Sequence, residues 1–209
     1  MASSLSLRTV HKFSAFVLAS FLVVHIANHL ASLHGIATHI SMMETLRKAY
    51  RLPVVEAVLM LCVAFQAVSG ITLVVRGWKE RSGKVAWLQA TSGLYLAFFL
   101  LVHVSAVLAG RAIFNLDTNF YFAAAGLHVP PFAWFFVPYY FLAVVALFTH
   151  VGCALYWRIA QAHARVARLG IMAAISAGLV TATLIVLSMA GFFEPVSVPA
   201  EYKATYGVR

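Results

Sequence analysis

Charge is what this sequence has least of. Only 10% of its 209 residues are Asp, Glu, Lys or Arg, against about a quarter in soluble domains. Acidic residues are the scarcest, 6 against 15 Lys+Arg, for a formal net charge of +9. No acid–base pair in a polar pocket is evident, so substrate chemistry is expected to belong to another chain. The two cysteines, Cys62 and Cys153, lie in different apolar runs at different depths, which argues against a disulfide and leaves them as small packing residues. There is no Cys-x-x-Cys, hence no iron–sulfur cluster or c-type haem of the chain's own. There is no G-x-G-x-x-G after a strand pattern, hence no flavin or nucleotide domain. A phosphate loop and an RNA-binding aromatic pattern are also missing, so the positive charge does not point to nucleic acid.

What the sequence has in abundance is hydrocarbon: 63% of residues are hydrophobic and mean hydropathy is +0.90. With so few charges these runs must face lipid or one another. The composition predicts an integral, all-α membrane protein. Five spans are expected, at about 12–33, 52–75, 86–109, 132–159 and 169–193, each near the 20 residues a bilayer needs. The first resembles a secretion signal, but its apolar part is too long and no clean cleavage site follows, so it reads as a mature helix. Residues 34–51 form a polar, partly amphipathic connection, 111–131 a mixed one with a short interfacial piece, and 194–209 a polar, irregular tail. No repeat or linker breaks the chain, so residues 1–209 form one domain.

Basic residues set the expected orientation. With the N-terminus inside, Arg8, Lys12, Arg76, Lys79, Arg81, Lys84, Arg158, Arg165 and Arg168 lie inside. Arg47, Lys48, Arg51, Arg111, Lys203 and Arg209 lie outside. Nine against six favours N-terminus inside and C-terminus outside. The expected location is the bacterial inner (cytoplasmic) membrane.

The stretch Ser20 to Gly35, SFLVVHIANHLASLHG, carries the most chemistry. His25, Asn28, His29 and Ser32 are spaced to share one helix face. Polar side chains at membrane depth are costly and need a partner in the bundle interior. At about 1.5 Å rise per residue, His25 and His103 fall together in the outer half, and Gln66 and His150 together in the inner half. A b-type haem requires two axial side chains at one level on different helices, usually imidazoles, with small residues beside them. His25 with His103 meets that demand, with Gly93 among the small residues nearby. For the inner pair two readings stay open. Either Gln66, a poor iron ligand, bonds His150 and no haem is present, or His150 alone holds a second haem. One haem is the expectation.

Several segments also resemble one family. FLVVHIANHLASLHG looks like the first helix, and Trp87 to His103, WLQATSGLYLAFFLLVH, like the third, of the five-helix cytochrome b anchor of succinate dehydrogenases and fumarate reductases. FQAVSG and FTHVGCAL are similar to its second- and fourth-helix ligand regions. The likeness covers roughly residues 8 to 158. It implies His25 and His103 as axial ligands of haem b. The pocket would be built with Asn28, His29, Ser92, Gly93 and Arg51, and a second haem would lie near Gln66 and His150. It also implies electron transfer with quinone, and flavoprotein and iron–sulfur subunits as partners alongside membrane lipid, with a homo-oligomer left open. Two departures stand out: Gln66 occupies the second-helix histidine position, and Ala90 replaces the arginine of L-Q-R.

Other residues have plainer expectations. Arg51 and Glu56 flank Pro53 and are expected to pair, or Arg51 to neutralise a haem propionate. His29, His34, His39 and His128, with Met42 and Met43, cluster on the outer side and suggest an alternative, a metal-handling or transport protein. His34 and His39 are expected at the interface, and His11 and His163 solvated near inner headgroups. Trp78, Trp87, Trp134 and Trp157 stand near span ends as anchors. A haem-free scaffold is the third reading.

Overall fold

The computed structural model describes residues 6–207. Residues 1–5 of the polar N-terminal stretch and Arg209, counted above on the outer side, lie outside that range. Among the described residues the chain is helical, with no strand: α1 (Leu7–Ala31), α2 (Ile36–Tyr50), α3 (Pro53–Arg76), α4 (Lys84–Ala112), α5 (Phe120–His128), α6 (Ala133–Ile159), α7 (Ala164–Met189) and α8 (Ala200–Ala204). Five of these, α1, α3, α4, α6 and α7, are long and apolar enough to cross a membrane. The chain is an integral membrane bundle. Phe13, Phe16, Leu61 and Trp134 are all at least 70% exposed, a liability in water but ordinary against lipid.

Local signals set the helix ends. Ser6 Oγ accepts from the backbone N–H of Thr9 at 3.2 Å and starts α1 at Leu7, five residues earlier than apolarity suggests. Polar first-turn residues hid that start. α1 closes in a 3-10 turn, Ser32–His34, and the chain redirects at Gly35, whose φ of +114° suits glycine. Pro53 occupies the first turn of α3, where its missing N–H costs nothing. α7 runs from Ala164 to Met189 rather than from about 169 to 193. Its first two turns take in the basic Arg165 and Arg168, and it stops before Gly191, at φ +87°.

The spans form a closed circuit: α1 packs on α3, α3 on α4, α4 on α6, α6 on α7, and α7 back on α1. Among the described residues, α1 comes within 8 Å of neither α4 nor α6, backbone to backbone. Side chains crossing the middle therefore come from helices that do not touch. The α6–α7 seam is the tightest, because a Cβ at Gly152 would stand 2.8 Å from Ala174 Cβ, and one at Gly178 2.8 Å from Phe148 Cβ. Small residues are how membrane helices approach closely without a hydrophobic drive. α1 and α7 are tied by the buried Ser188 hydroxyl, which donates to Ser32 Oγ at 2.7 Å.

The short helices α2, α5 and α8 cap one end, opposite the N-terminal end. A short helix, α5, does form between the third and fourth spans, and its Phe120 and Ala124 are buried in the core. The tail is not wholly irregular: it forms α8, buries Val198 and Tyr202, and the Tyr202 hydroxyl donates to Asp117 O at 3.0 Å. The expected Arg51–Glu56 pair does not form. Glu56 pairs with Arg111 at the end of α4, which packs beside α3, while Arg51 Nη2 donates to Thr118 Oγ1 at 3.0 Å.

Candidate functional site

The structure brings His25 and His103 together. Their ring centroids are 6.2 Å apart at an interplanar angle of 65°, on the non-touching helices α1 and α4. Counted along the helices, His25 stands 18 residues beyond Leu7 and His103 19 beyond Lys84, so both reach one level on the capped half. Phe21 stacks on His25 at 5.3 Å and Phe99 on His103 at 5.0 Å, which fixes both rings in place. His29 lies against His25 at 4.8 Å, edge to face.

Among the described residues His11, His39, His128 and His150 hydrogen-bond through their rings; the exposed His34 and His163 do not, nor do His25, His29 and His103 inside the bundle. An imidazole left without a partner at membrane depth costs free energy that a ligand would recover. A metal–imidazole bond is about 2.0–2.1 Å and the ring centre lies about 1.1 Å further, so two imidazoles on opposite faces of one metal have centroids about 6 Å apart. The measured 6.2 Å matches. Among the described residues no three His, Cys, Asp or Glu side chains gather as a metal group. Two imidazoles alone hold a bare ion poorly, but a porphyrin brings its own four nitrogens and needs only two axial ligands. The residues fit a haem.

No family model, curated protein or solved structure matches this chain.

The surrounding residues sort differently from expectation. Asn28 is buried and its Nδ2 donates to His39 Nε2 at 3.1 Å. His39 is therefore not at the interface: it is 2% exposed, and burial, with His25 and Arg47 adding to it, holds its pKa down to about 4. His34 is exposed, and His128 Nε2 donates to Met189 O at 2.9 Å, while His29 and His39 meet at 5.3 Å between ring centroids, so the expected cluster forms only in part. Arg51 sits beside Arg47 and Arg111 at the capped end. Burial first, then those two like charges, lower its pKa. Arg47 is matched by Asp117 at 2.6 Å.

Ser92 and Gly93 do not border the His25/His103 pair. They belong to His150, at the N-terminal end of the bundle. His150 Nδ1 lies 3.0 Å from Gln89 O and 3.3 Å from Ser92 Oγ, and a Cβ at Gly93 would stand 2.9 Å from its Cε1. Gln66 does not reach His150. Its Nε2 donates to His11 O and to Ser14 Oγ, each at 2.6 Å, because α3 packs on α1 and not on α6. His11 is likewise not solvated: its Nδ1 is 2.7 Å from Ser69 Oγ, whereas His163 is exposed. His11 and Ser69 are the residues that reading the sequence missed. The available signals were the Ser6 cap, which draws His11 into α1, and the dipeptide Ser-Gly at both 69–70 and 92–93.

Proposed function

We propose that this chain is a membrane cytochrome holding haem b between His25 and His103, and that it passes electrons between a quinone and a partner redox protein. The single observation that carries the reading is the pair of imidazoles, 6.2 Å apart and without a hydrogen-bond partner among the described residues, on helices that do not meet. Haem, when bound, supplies one-electron redox chemistry that the side chains lack. The chain's own contribution is geometric and electrostatic. His25 and His103 would hold the group, Phe21 and Phe99 stack on those rings, and the apolar bundle would keep water from the site. Arg51, at the capped end beside Thr118, would offer a cation for a propionate.

The resemblance to succinate dehydrogenase and fumarate reductase anchors supports quinone as the small redox partner. It also supports flavoprotein and iron–sulfur subunits as the attached ones, in a bacterial inner membrane with the N-terminus inside. Changing His103 to Ala is expected to remove most of the haem that copurifies through this site. Unchanged haem content and an unchanged spectrum in His103→Ala and His25→Ala would overturn the assignment.

A further inference from the structure

His25 and His103 are carried by the same arrangement of rings. In each helix a phenylalanine four residues earlier stacks on the imidazole, Phe21 on His25 at 22° and Phe99 on His103 at 12°. Residues four apart lie one above the other on a helix face, so the spacing itself builds the stack. Each phenylalanine is then met by a tyrosine from another helix. Tyr50, the last residue of α2, stands edge-on to Phe21 at 5.5 Å, and Tyr139 of α6 leans on Phe99 at 4.7 Å.

The His103 stack is held further by hydrogen bonds. The Tyr139 hydroxyl donates to Phe99 O at 3.3 Å. In an α-helix that carbonyl also takes the backbone N–H four residues on, which here belongs to His103. Tyr139 therefore bears on His103 twice, through the Phe99 ring and through the turn on which the imidazole is mounted. Tyr139 is itself fixed. It is 4% exposed, and Tyr95, one turn before Phe99 on α4, donates its hydroxyl to Tyr139 O at 2.9 Å. Each of the two helices thus gives a tyrosine hydroxyl to a backbone carbonyl of the other. A metal-bound histidine is usually oriented by a hydrogen bond from its second ring nitrogen. His103 has no such bond among the described residues, so its orientation falls to Phe99 and to whatever holds Phe99.

We propose that Tyr139, held by Tyr95 and acting through Phe99, is the positioning residue that sets the ring plane of His103 as an axial ligand. This rests on the haem reading of the His25/His103 site. The quantity it controls is the angle between the two imidazole planes, 65° in the structure.

The test is the electron paramagnetic resonance spectrum of the full chain, purified in detergent in its ferric form, read beside the haem-to-protein ratio. The g-values of a low-spin ferric haem follow the angle between its two imidazole planes. Tyr139→Phe removes one hydroxyl and keeps the ring. Its haem content is expected to match wild type while the g-values of the His25/His103 signal shift. Its haem should also pass to apomyoglobin up to about tenfold faster, which is what one hydrogen bond is worth. Tyr95→Phe is expected to shift the same signal in the same direction by less. Tyr156→Phe, a hydroxyl removed at the other end of α6, is expected to leave it in place. Should Tyr139→Phe fail to fold, Tyr95→Phe decides by the same signal. Wild-type g-values in both variants, with haem that is still lost in His103→Ala, overturn the positioning role while the haem site stands. An equal shift in Tyr156→Phe also overturns it, since the effect would then not come from these hydrogen bonds. A wild-type chain that holds no haem overturns both.

Discussion

Glu194 caps α2 from beyond the last span: its Oε2 accepts from the backbone N–H of Ile36 at 2.7 Å. A carboxylate at a helix N-terminus satisfies an otherwise orphaned donor and meets the positive end of the helix dipole. Gly35 makes room for it, since a Cβ there would stand 3.3 Å from the same oxygen. Glu194→Ala is expected to cost about 0.5–2 kcal/mol, read as a lower thermal midpoint in detergent and faster hydrogen exchange at residues 36–39. Unchanged exchange there would show that α2 does not depend on this cap.

The α6–α7 seam should be the most sensitive to added volume. At Gly178 a side chain would meet Phe148 Cβ at 2.8 Å, and overpacking costs typically about 1–3 kcal/mol. Gly178→Leu is expected to lower the thermal midpoint clearly, while Gly170→Leu, with nothing within 4 Å, leaves it near wild type. Equal effects at the two positions would contradict the packing described.

Glu56 belongs to Arg111, not to its sequence neighbour Arg51. Both side chains of the pair are about 30% exposed, so its coupling should be modest, about 0.2–1 kcal/mol. A double-mutant cycle should find that coupling for Glu56 with Arg111 and almost none for Glu56 with Arg51. The reverse ranking would refute the pairing.

His39 sets an acid limit on the capped end. Burial holds its folded pKa down to about 4, below the ordinary 6.5. The neutral ring is the folded form, so its stabilisation is full above about pH 6.5 and is lost as pH falls toward 4. One such group changes stability by at most about 1.4 kcal/mol per pH unit across that window. His39→Asn should flatten the fall in thermal midpoint between pH 6.5 and 4 relative to wild type. Parallel profiles would exclude His39 as a source.

The five spans were legible because lipid imposes long apolar runs, and the closeness of His25 and His103 followed from counting residues along helices that alternate in direction. What counting cannot give is azimuth. Gln66 and His150 share a half of the bundle, but α3 turns Gln66 toward α1, so it reaches His11 instead. Glu56 found Arg111 for the same reason, since α3 packs beside α4. His11 was misplaced because a polar first turn looks like headgroup region until its Ser6 cap is recognised. His39 looked interfacial because α2 is amphipathic, and only its contact with Asn28 shows which face is buried.

The central claim is that His25 and His103 hold haem, and the dithionite-reduced minus oxidised absorbance spectrum of the purified wild-type chain tests it most directly. The account predicts a b-type spectrum with haem bound at a whole-number ratio to protein, part of which disappears in His103→Ala. A colourless protein, purified after ample haem supply and folded by its elution and helicity, would contradict it.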